Sequence, residues 1–356
     1  MNPPWPFSTA ELTAGLRRYF AEPTLRVVTL REQPSTFYSG TTATPTRVRG
    51  LRVDYAVGEH ALNMVCAVKE PQGASRAGLA GAGRREAGVY RALAGQLPMP
   101  VPTLIAADPA GEWLIFEGVD IEVPPAEWRP EHYHHAVRLL AELHERFWNL
   151  GDDLAAYTWL ARPLTGDFEI HVFAAAQALA KLIADDWPPV VTRSTETLRA
   201  LGQIVSQADH IAAPLRALPF TLLHGNFWPG NAALQHDGEM VVYDWRLASV
   251  GPGILDVVAF IFNSQWMLGA LPVGSEALIT DYRAELQRRL NVDWSDADWQ
   301  RLWDHALLWR FLQDTLAWLA SVTPATFTPH AAESFQHAWL APVLAAAQRR
   351  LLKFES

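Results

Sequence analysis

The feature that most constrains this chain is a break in texture near Gly118. Before it, short runs rich in Val, Leu, Ile and Thr recur at residues 24–31, 48–57, 61–69, 103–107 and 113–117. Turn signals such as Gly58-Glu59 and residues 108–111 separate them, so this part reads as β-strands. One helical pattern interrupts the strands at residues 83–96, with Ala87, Tyr90, Leu93 and Ala94 on one stripe. Pro98, Pro100 and Pro102 end it and start an extended segment. After Pro124-Pro125 the period lengthens: residues 132–148 place Ala136, Leu139, Leu140, Leu143 and Phe147 on one face. Similar patterns run over 170–184, 196–207 and 275–290, and Ser295 reads as the N-cap of a long helix through Leu319. Only two short apolar strand-like runs break this region, at 220–223 and 240–243, and no internal repeat is visible. The expectation is an α+β chain with a small β-rich lobe over 1–118 and a larger, mainly helical lobe over 119–356.

Composition narrows the class. At 356 residues, 49% apolar and 19% charged, the chain exceeds one typical domain of about 150 residues and excludes disorder. No run approaches the ~18 apolar residues of a membrane span, and the opening MNPPWPFSTA lacks the basic and apolar regions of a secretory signal. The single cysteine, Cys66, fits a reducing compartment, and the net charge of −9 argues against a nucleic-acid partner. A cytoplasmic protein with neither nucleic acid nor membrane as partner is expected; oligomeric state is left open. Of 29 cationic side chains 26 are Arg, so Lys69, Lys181 and Lys353 stand out as places where a compact ammonium replaces the planar fork. Residues 1–118 carry a net +2 and residues 119–356 a net −11, which fits either a cationic ligand or ordinary solvated helix faces. The 15 Trp residues could line an aromatic pocket, although core packing explains most of them.

Three local patterns carry no chemistry. Gly81-Ala82-Gly83 opens like a dinucleotide fingerprint but lacks the last small residue. His144-Glu145 begins like a zinc-protease motif, yet Trp148 stands where the second His belongs. His132, His134 and His135 have no Cys or carboxylate set to complete a metal site and read as a solvent-facing helix start.

The informative segment is Leu222-Leu223-His224-Gly225-Asn226-Phe227-Trp228-Pro229-Gly230-Asn231, followed by Val241-Val242-Tyr243-Asp244-Trp245. A short buried strand ends in a polar turn, and a second one ends in an acid. Two strands that bring an amide and a carboxylate to one edge offer the few oxygen ligands Mg²⁺ takes from protein, phosphate and water completing its shell. The spacing H-x-N-x-x-x-x-N matches the kinase catalytic loop H-x-D-x-x-x-x-N with one change. With V-V-Y-D-W behind it, this wording resembles the aminoglycoside phosphotransferase and choline kinase-like family. Ala67-Val68-Lys69 resembles the family's strand lysine, and Arg85-Glu86 with Tyr90 and Leu93 its helix glutamate. Residues 113–118 resemble the hinge, Leu139 to His144 the helix before the catalytic loop, and Gly251 to Asp256 the segment after the metal ligand.

The resemblance implies a two-lobed protein-kinase-like fold and these roles. Lys69 would contact the α- and β-phosphates of ATP or GTP, held by an ion pair with Glu86; Asn231 and Asp244 would hold Mg²⁺. The backbones of Glu117 and Val119 would meet the base, and the loop with Gly40 and Thr41 would cover the phosphates. His224 and Asp256 would brace the loop rather than touch substrate. The alternative for Lys69 is a strand side chain whose stem snorkels, and Lys69→Ala is expected to move the unliganded melting point little. The family has an Asp at Asn226, which accepts or orients the proton of the substrate hydroxyl; an amide oxygen can accept a hydrogen bond but takes no proton at neutral pH. Three readings stay open: a slow kinase that relies on positioning, a nucleotide-binding pseudokinase acting as sensor or interaction module, or an Asn introduced into an active chain. The expected function is phosphorylation of a small-molecule hydroxyl of aminoglycoside, amino-alcohol or sugar type, with a cationic acceptor compatible with the acidic half.

Overall fold

The computed structural model describes residues 5–34, 46–71 and 80–351. The chain opens with α1 (Thr9–Tyr19), β1 (Arg26–Gln33), β2 (Thr46–Val57), β3 (His60–Pro71), α2 (Ala82–Ala92), β4 (Leu104–Ala107) and β5 (Leu114–Glu117). Helices α3 (Pro130–Arg146), α4 (Phe168–Asp185), α5 (Pro189–Thr192), α6 (Thr195–Ser206) and α7 (Ala208–Arg216) follow. Four short strands come next: β6 (Thr221–Leu223), β7 (Ala232–Leu234), β8 (Met240–Val242) and β9 (Ser249–Gly251). The remainder is helical: α8 (Ile254–Leu268), α9 (Ser275–Leu290), α10 (Asp296–Arg310), α11 (Leu316–Leu319), α12 (Pro329–Phe335) and α13 (Ala341–Arg350). No described helix is long and apolar enough to cross a membrane.

The chain forms two compact units. The first takes in the described parts of residues 1–75, 79–127 and 230–247; the second holds residues 128–229 and the described part of 248–356. In the first, a five-stranded antiparallel sheet runs in the order β1-β2-β3-β5-β4. Its core joins Leu12 and Leu16 of α1 to Leu51, Val53, Cys66, Val68, Ile105, Trp113 and Ile115. Helix α1 starts in a reciprocal cap, with Ser8 and Glu11 each satisfying the other's backbone amide. The hairpin β7–β8 belongs to this unit and is tied to it by the Val242 amide, which donates to the Pro100 carbonyl at 2.8 Å.

The second unit is a helical assembly in which α10 packs against α7, α8 and α13. The buried rings of Phe168 and Trp309 stack with centroids 5.4 Å apart and planes 8° apart. β6 pairs with β9 in a two-stranded sheet. Ser295 caps α10 by accepting from the Asp298 amide at 3.1 Å. The long helix expected behind that cap runs through to Leu319, with one π-helical turn at Phe311–Thr315 between α10 and α11 shifting its hydrogen-bond register.

Candidate active site

In the first unit, Lys69 lies on β3 opposite Val48 of β2 and Leu114 of β5, a central-strand position whose side chain is 1% exposed. Its Nζ is 2.6 Å from Glu86 Oε2 and 2.5 Å from Asp244 Oδ1. Both acids are buried as well, at 0% and 3% exposure. Glu86 comes from α2, and Asp244 follows β8. Arg246 Nε lies 3.2 Å from Asp244 Oδ1, and Arg85 of α2 donates to the Arg246 carbonyl at 2.7 Å. Lys69 and Arg246 thus face the two acids inside one buried cluster, with the Arg85 guanidinium beside them, and such pairing is the condition for burying charge at tolerable cost. Burial pushes the Glu86 carboxyl up; Lys69 opposes that and Asp244 adds to it, so the net direction is upward.

Asn231 closes a short helical turn, Pro229–Asn231, just before β7 and is itself buried. Its carbonyl accepts the Tyr243 amide at 3.0 Å, extending the β7–β8 register by one pair. That register brings Asn231 and Asp244 to the same end of the hairpin. Asp244 has φ of +67°, the left-handed region that non-glycine residues seldom adopt and that concentrates at working sites.

In the second unit β6 runs into His224, Gly225 and Asn226. Asp256, in the first turn of α8, accepts the His224 amide at 2.7 Å on Oδ2 and the Gly225 amide at 2.8 Å on Oδ1. Gly225 needs its freedom, with φ of +82°, and Arg310 of α10 donates to its carbonyl at 2.8 Å. The Asn226 amide donates to His224 Nδ1 at 3.3 Å. His144 of α3 stands behind, its Nε2 3.4 Å from Asp256 Oδ2 and its Nδ1 2.8 Å from the Tyr282 hydroxyl of α9. A Cβ on Gly253 would lie 2.6 Å from both the His144 ring and that hydroxyl, so only glycine fits there. Burial alone would raise the Asp256 carboxyl, but the hydrogen bond and charge of His144, with His224 and Arg310, outweigh it and hold it below the usual range.

The remaining sequence candidates are placed as follows. The Glu117 side chain is a brace, accepting from Tyr19 Oη at 2.7 Å and from the Thr103 amide at 2.7 Å. Its own amide donates to the Thr103 carbonyl at 3.0 Å, leaving the backbone beyond it, with Val119 half-buried, as the part that can face a base. Gly40 and Thr41 lie outside the described residues. His134 pairs with Asp281 at 2.5 Å and His132 accepts the Arg129 amide, and no three metal-binding side chains cluster among the described residues. The Gly81–Gly83 run serves packing: a Cβ on Gly83 would lie 1.9 Å from the Gly111 carbonyl.

Sequence reasoning missed Arg246, Arg310, Tyr282 and Asn263, whose amide Nδ2 donates to Asn226 Oδ1 at 3.3 Å. Arg246 had a signal in standing two residues after Asp244, and Asn263 in standing seven residues after Asp256, on the same helix face. Arg310 had none, since 85 residues separate it from Gly225.

Comparison with known proteins bears on the fold and the family. No curated protein matches the sequence. Among solved structures, a Ralstonia eutropha protein assigned to the aminoglycoside phosphotransferases aligns at 15% identity with a TM-score of 0.54, covering 97% of this chain and 100% of its own. An aminoglycoside phosphotransferase of Alicyclobacillus acidocaldarius aligns at 14% identity with a TM-score of 0.52, covering 98% and 97%. The GDP complex of wild-type aminoglycoside 2'-phosphotransferase-IIIa aligns at 10% identity with a TM-score of 0.52, covering 97% and 98%. These likenesses establish a protein-kinase-like fold, with the five-stranded sheet as the smaller lobe and the helical assembly as the larger. The sequence model of the phosphotransferase enzyme family matches residues 54–302, well over half of the chain. By that match this chain belongs to the phosphotransferase enzyme family.

Proposed function

We propose that the protein transfers the γ-phosphoryl group of ATP or GTP to a hydroxyl of a small molecule of aminoglycoside, amino-alcohol or sugar type. The acceptor oxygen would bond to phosphorus as the bond to the β-phosphate bridge breaks, and the hydroxyl proton is lost to water. The observation that carries the reading is the buried lysine held between two acids from different elements, with Asn231 at the same hairpin end as one of them. Such a cluster holds an ammonium in a fixed position, which is what a phosphate-binding group needs.

In this reading Lys69 binds the α- and β-phosphates and Glu86 orients it. The carboxylate of Asp244 and the amide of Asn231 are hard oxygen donors, few in number, and fit Mg²⁺. Bound there, Mg²⁺ would neutralise charge across the phosphates. The carbonyl of Glu117, whose amide is taken by Thr103, and the backbone of Val119 receive the base. His224 and Asp256 position the loop that carries Asn226 toward the acceptor hydroxyl. The amide of Asn226 orients that hydroxyl without removing its proton, so transfer is slow rather than absent, a loose transition state asking more of position than of a base. We place the lobe boundary in the stretch from residue 118 to residue 127, with the β7–β8 hairpin returning to the smaller lobe. The buried Cys66, its thiol pushed up to about 12 first of all by burial, suits a reducing cytoplasm.

A thermal-shift titration tests the site. Mg·ATP should stabilise the protein by mass action, and Asp244→Ala should weaken Mg·ATP more than metal-free ATP. Equal weakening of both would remove Asp244 from the metal site, and no nucleotide shift in the wild-type chain would refute the reading.

A further inference from the structure

Three side chains, through four hydrogen bonds, fix the backbone around Asn226 within the second unit: Asp256 on two amides, Arg310 on the Gly225 carbonyl, and His224 Nδ1 on the Asn226 amide. All of these bonds end on backbone atoms at 224–226. Asn263 acts on the Asn226 side chain itself. It stands two helical turns along α8 from Asp256, on the same face, and donates its Nδ2 to Asn226 Oδ1 at 3.3 Å. Both amides are half-buried, where a hydrogen bond is not simply exchanged for water. One helix therefore holds the loop at its backbone with a carboxylate and at its side chain with an amide.

We propose that Asn263 is a positioning residue that sets the direction of the side chain at 226 and supplies a hydrogen-bond donor that a carboxylate at that position would use equally. The proposal builds on the phosphotransfer reading for its consequence to catalysis, although the contact itself does not depend on it. A neutral N–H aimed at a carboxylate favours the ionised form. Asn226→Asp should thus fit the site without repacking and be held ionised by Asn263. Among the described charged groups, Asp256 on α8, Arg310 on α10 and His224 in the loop itself contact the loop, His144 on α3 stands behind Asp256, and Asp314 pairs with Arg310; none of them is changed when only residue 263 is varied.

The test varies residue 263 against both side chains at 226. Asn263→Leu keeps the size and removes the donor. Asn263→Asp can still pair with Asn226, whose amide turns to donate, but opposes a carboxylate there. In the Asn226→Asp chain, titration of the introduced carboxyl by carbon NMR should move upward by about half a unit or more with Asn263→Leu, and further with Asn263→Asp. Phosphate transfer should follow: kcat of Asn226→Asp should drop about threefold or more with Asn263→Leu while KM for Mg·ATP holds. Asn263→Asp should be tolerated beside Asn226 and harmful beside the carboxylate, a reversal no general loss of stability produces. An introduced carboxyl that titrates alike with Asn, Leu and Asp at 263 would overturn the proposal, and if Asn263→Leu does not fold, the Asn263→Asp comparison decides alone. If the titrations shift as expected but no variant transfers phosphate, Asn263 keeps its positioning role and the phosphotransfer reading fails.

Discussion

Lys69 shows how much one residue can be asked to do. A lysine placed only to meet phosphate could be removed from the unliganded protein with little effect, which is what the sequence leads one to expect. Its burial between Glu86 and Asp244 changes that expectation. Removing one partner of a buried charge group leaves uncompensated charge and typically costs about 3–5 kcal/mol, far more than a surface ion pair. Lys69→Ala should therefore lower the unliganded melting point clearly and abolish most of the stabilisation by Mg·ATP, both read in one thermal-shift series. An unchanged melting point would mean that the two acids find other partners. The upward direction of the Glu86 carboxyl follows from the same geometry: burial raises it, and the one ammonium that opposes this is shared with a second acid.

At the scale of elements, α8 organises the second unit's loop through its first turn. Asp256 is held below the ordinary carboxyl range, against the effect of burial, by His144, His224 and Arg310. A carboxyl depressed in the folded state adds stability that is full above its unfolded value, near 3.9, and is lost as pH falls through the folded one. Asp256→Asn should cost on the order of 1.5–3 kcal/mol at pH 7, because it sets an amide N–H against a backbone N–H. The gap in melting point between wild type and variant should close below about pH 4, and a gap constant down to pH 2 would show that the charge of Asp256 is not what braces the loop. The elements themselves were largely readable. Strands β2 to β5 and helices α3, α4, α6 and α9 follow from alternation and from helical stripes, and Ser295 announced α10. Helix α1 was missed although Ser8 and Glu11 spell its cap, because its apolar residues are sparse. β7 and β9 are three residues each, too short to show a period; β6 and β8, equally short, were readable from the apolar runs at 220–223 and 240–243. The π-helical turn after Arg310 leaves no composition signal, and neither does a contact across 85 residues such as that of Arg310 with Gly225.

At the scale of the whole molecule, family membership rests on a pattern spread through residues 54–302. The candidate site residues were most legible where spacing was short, as in His224 to Asn231 or Val241 to Asp244, and Lys69 stood out through the scarcity of lysine. What the sequence could not show is which groups hold them: Arg246 on Asp244, Asn263 on Asn226, Tyr282 behind His144. Those depend on tertiary packing, and they decide how well each side chain is fixed. The central claim is that a phosphoryl group moves at Asn226, and phosphate transfer measured side by side for the wild-type chain and Asn226→Asp tests it most directly. With Mg·ATP and a panel of amino-alcohol, aminoglycoside and sugar hydroxyls, the wild-type chain should transfer slowly and Asn226→Asp at least about tenfold faster, with little change in the Mg·ATP thermal shift. A wild-type chain and variant that both bind Mg·ATP yet transfer no phosphate to any acceptor and hydrolyse no ATP would contradict the account and leave a nucleotide-binding protein without the transfer step.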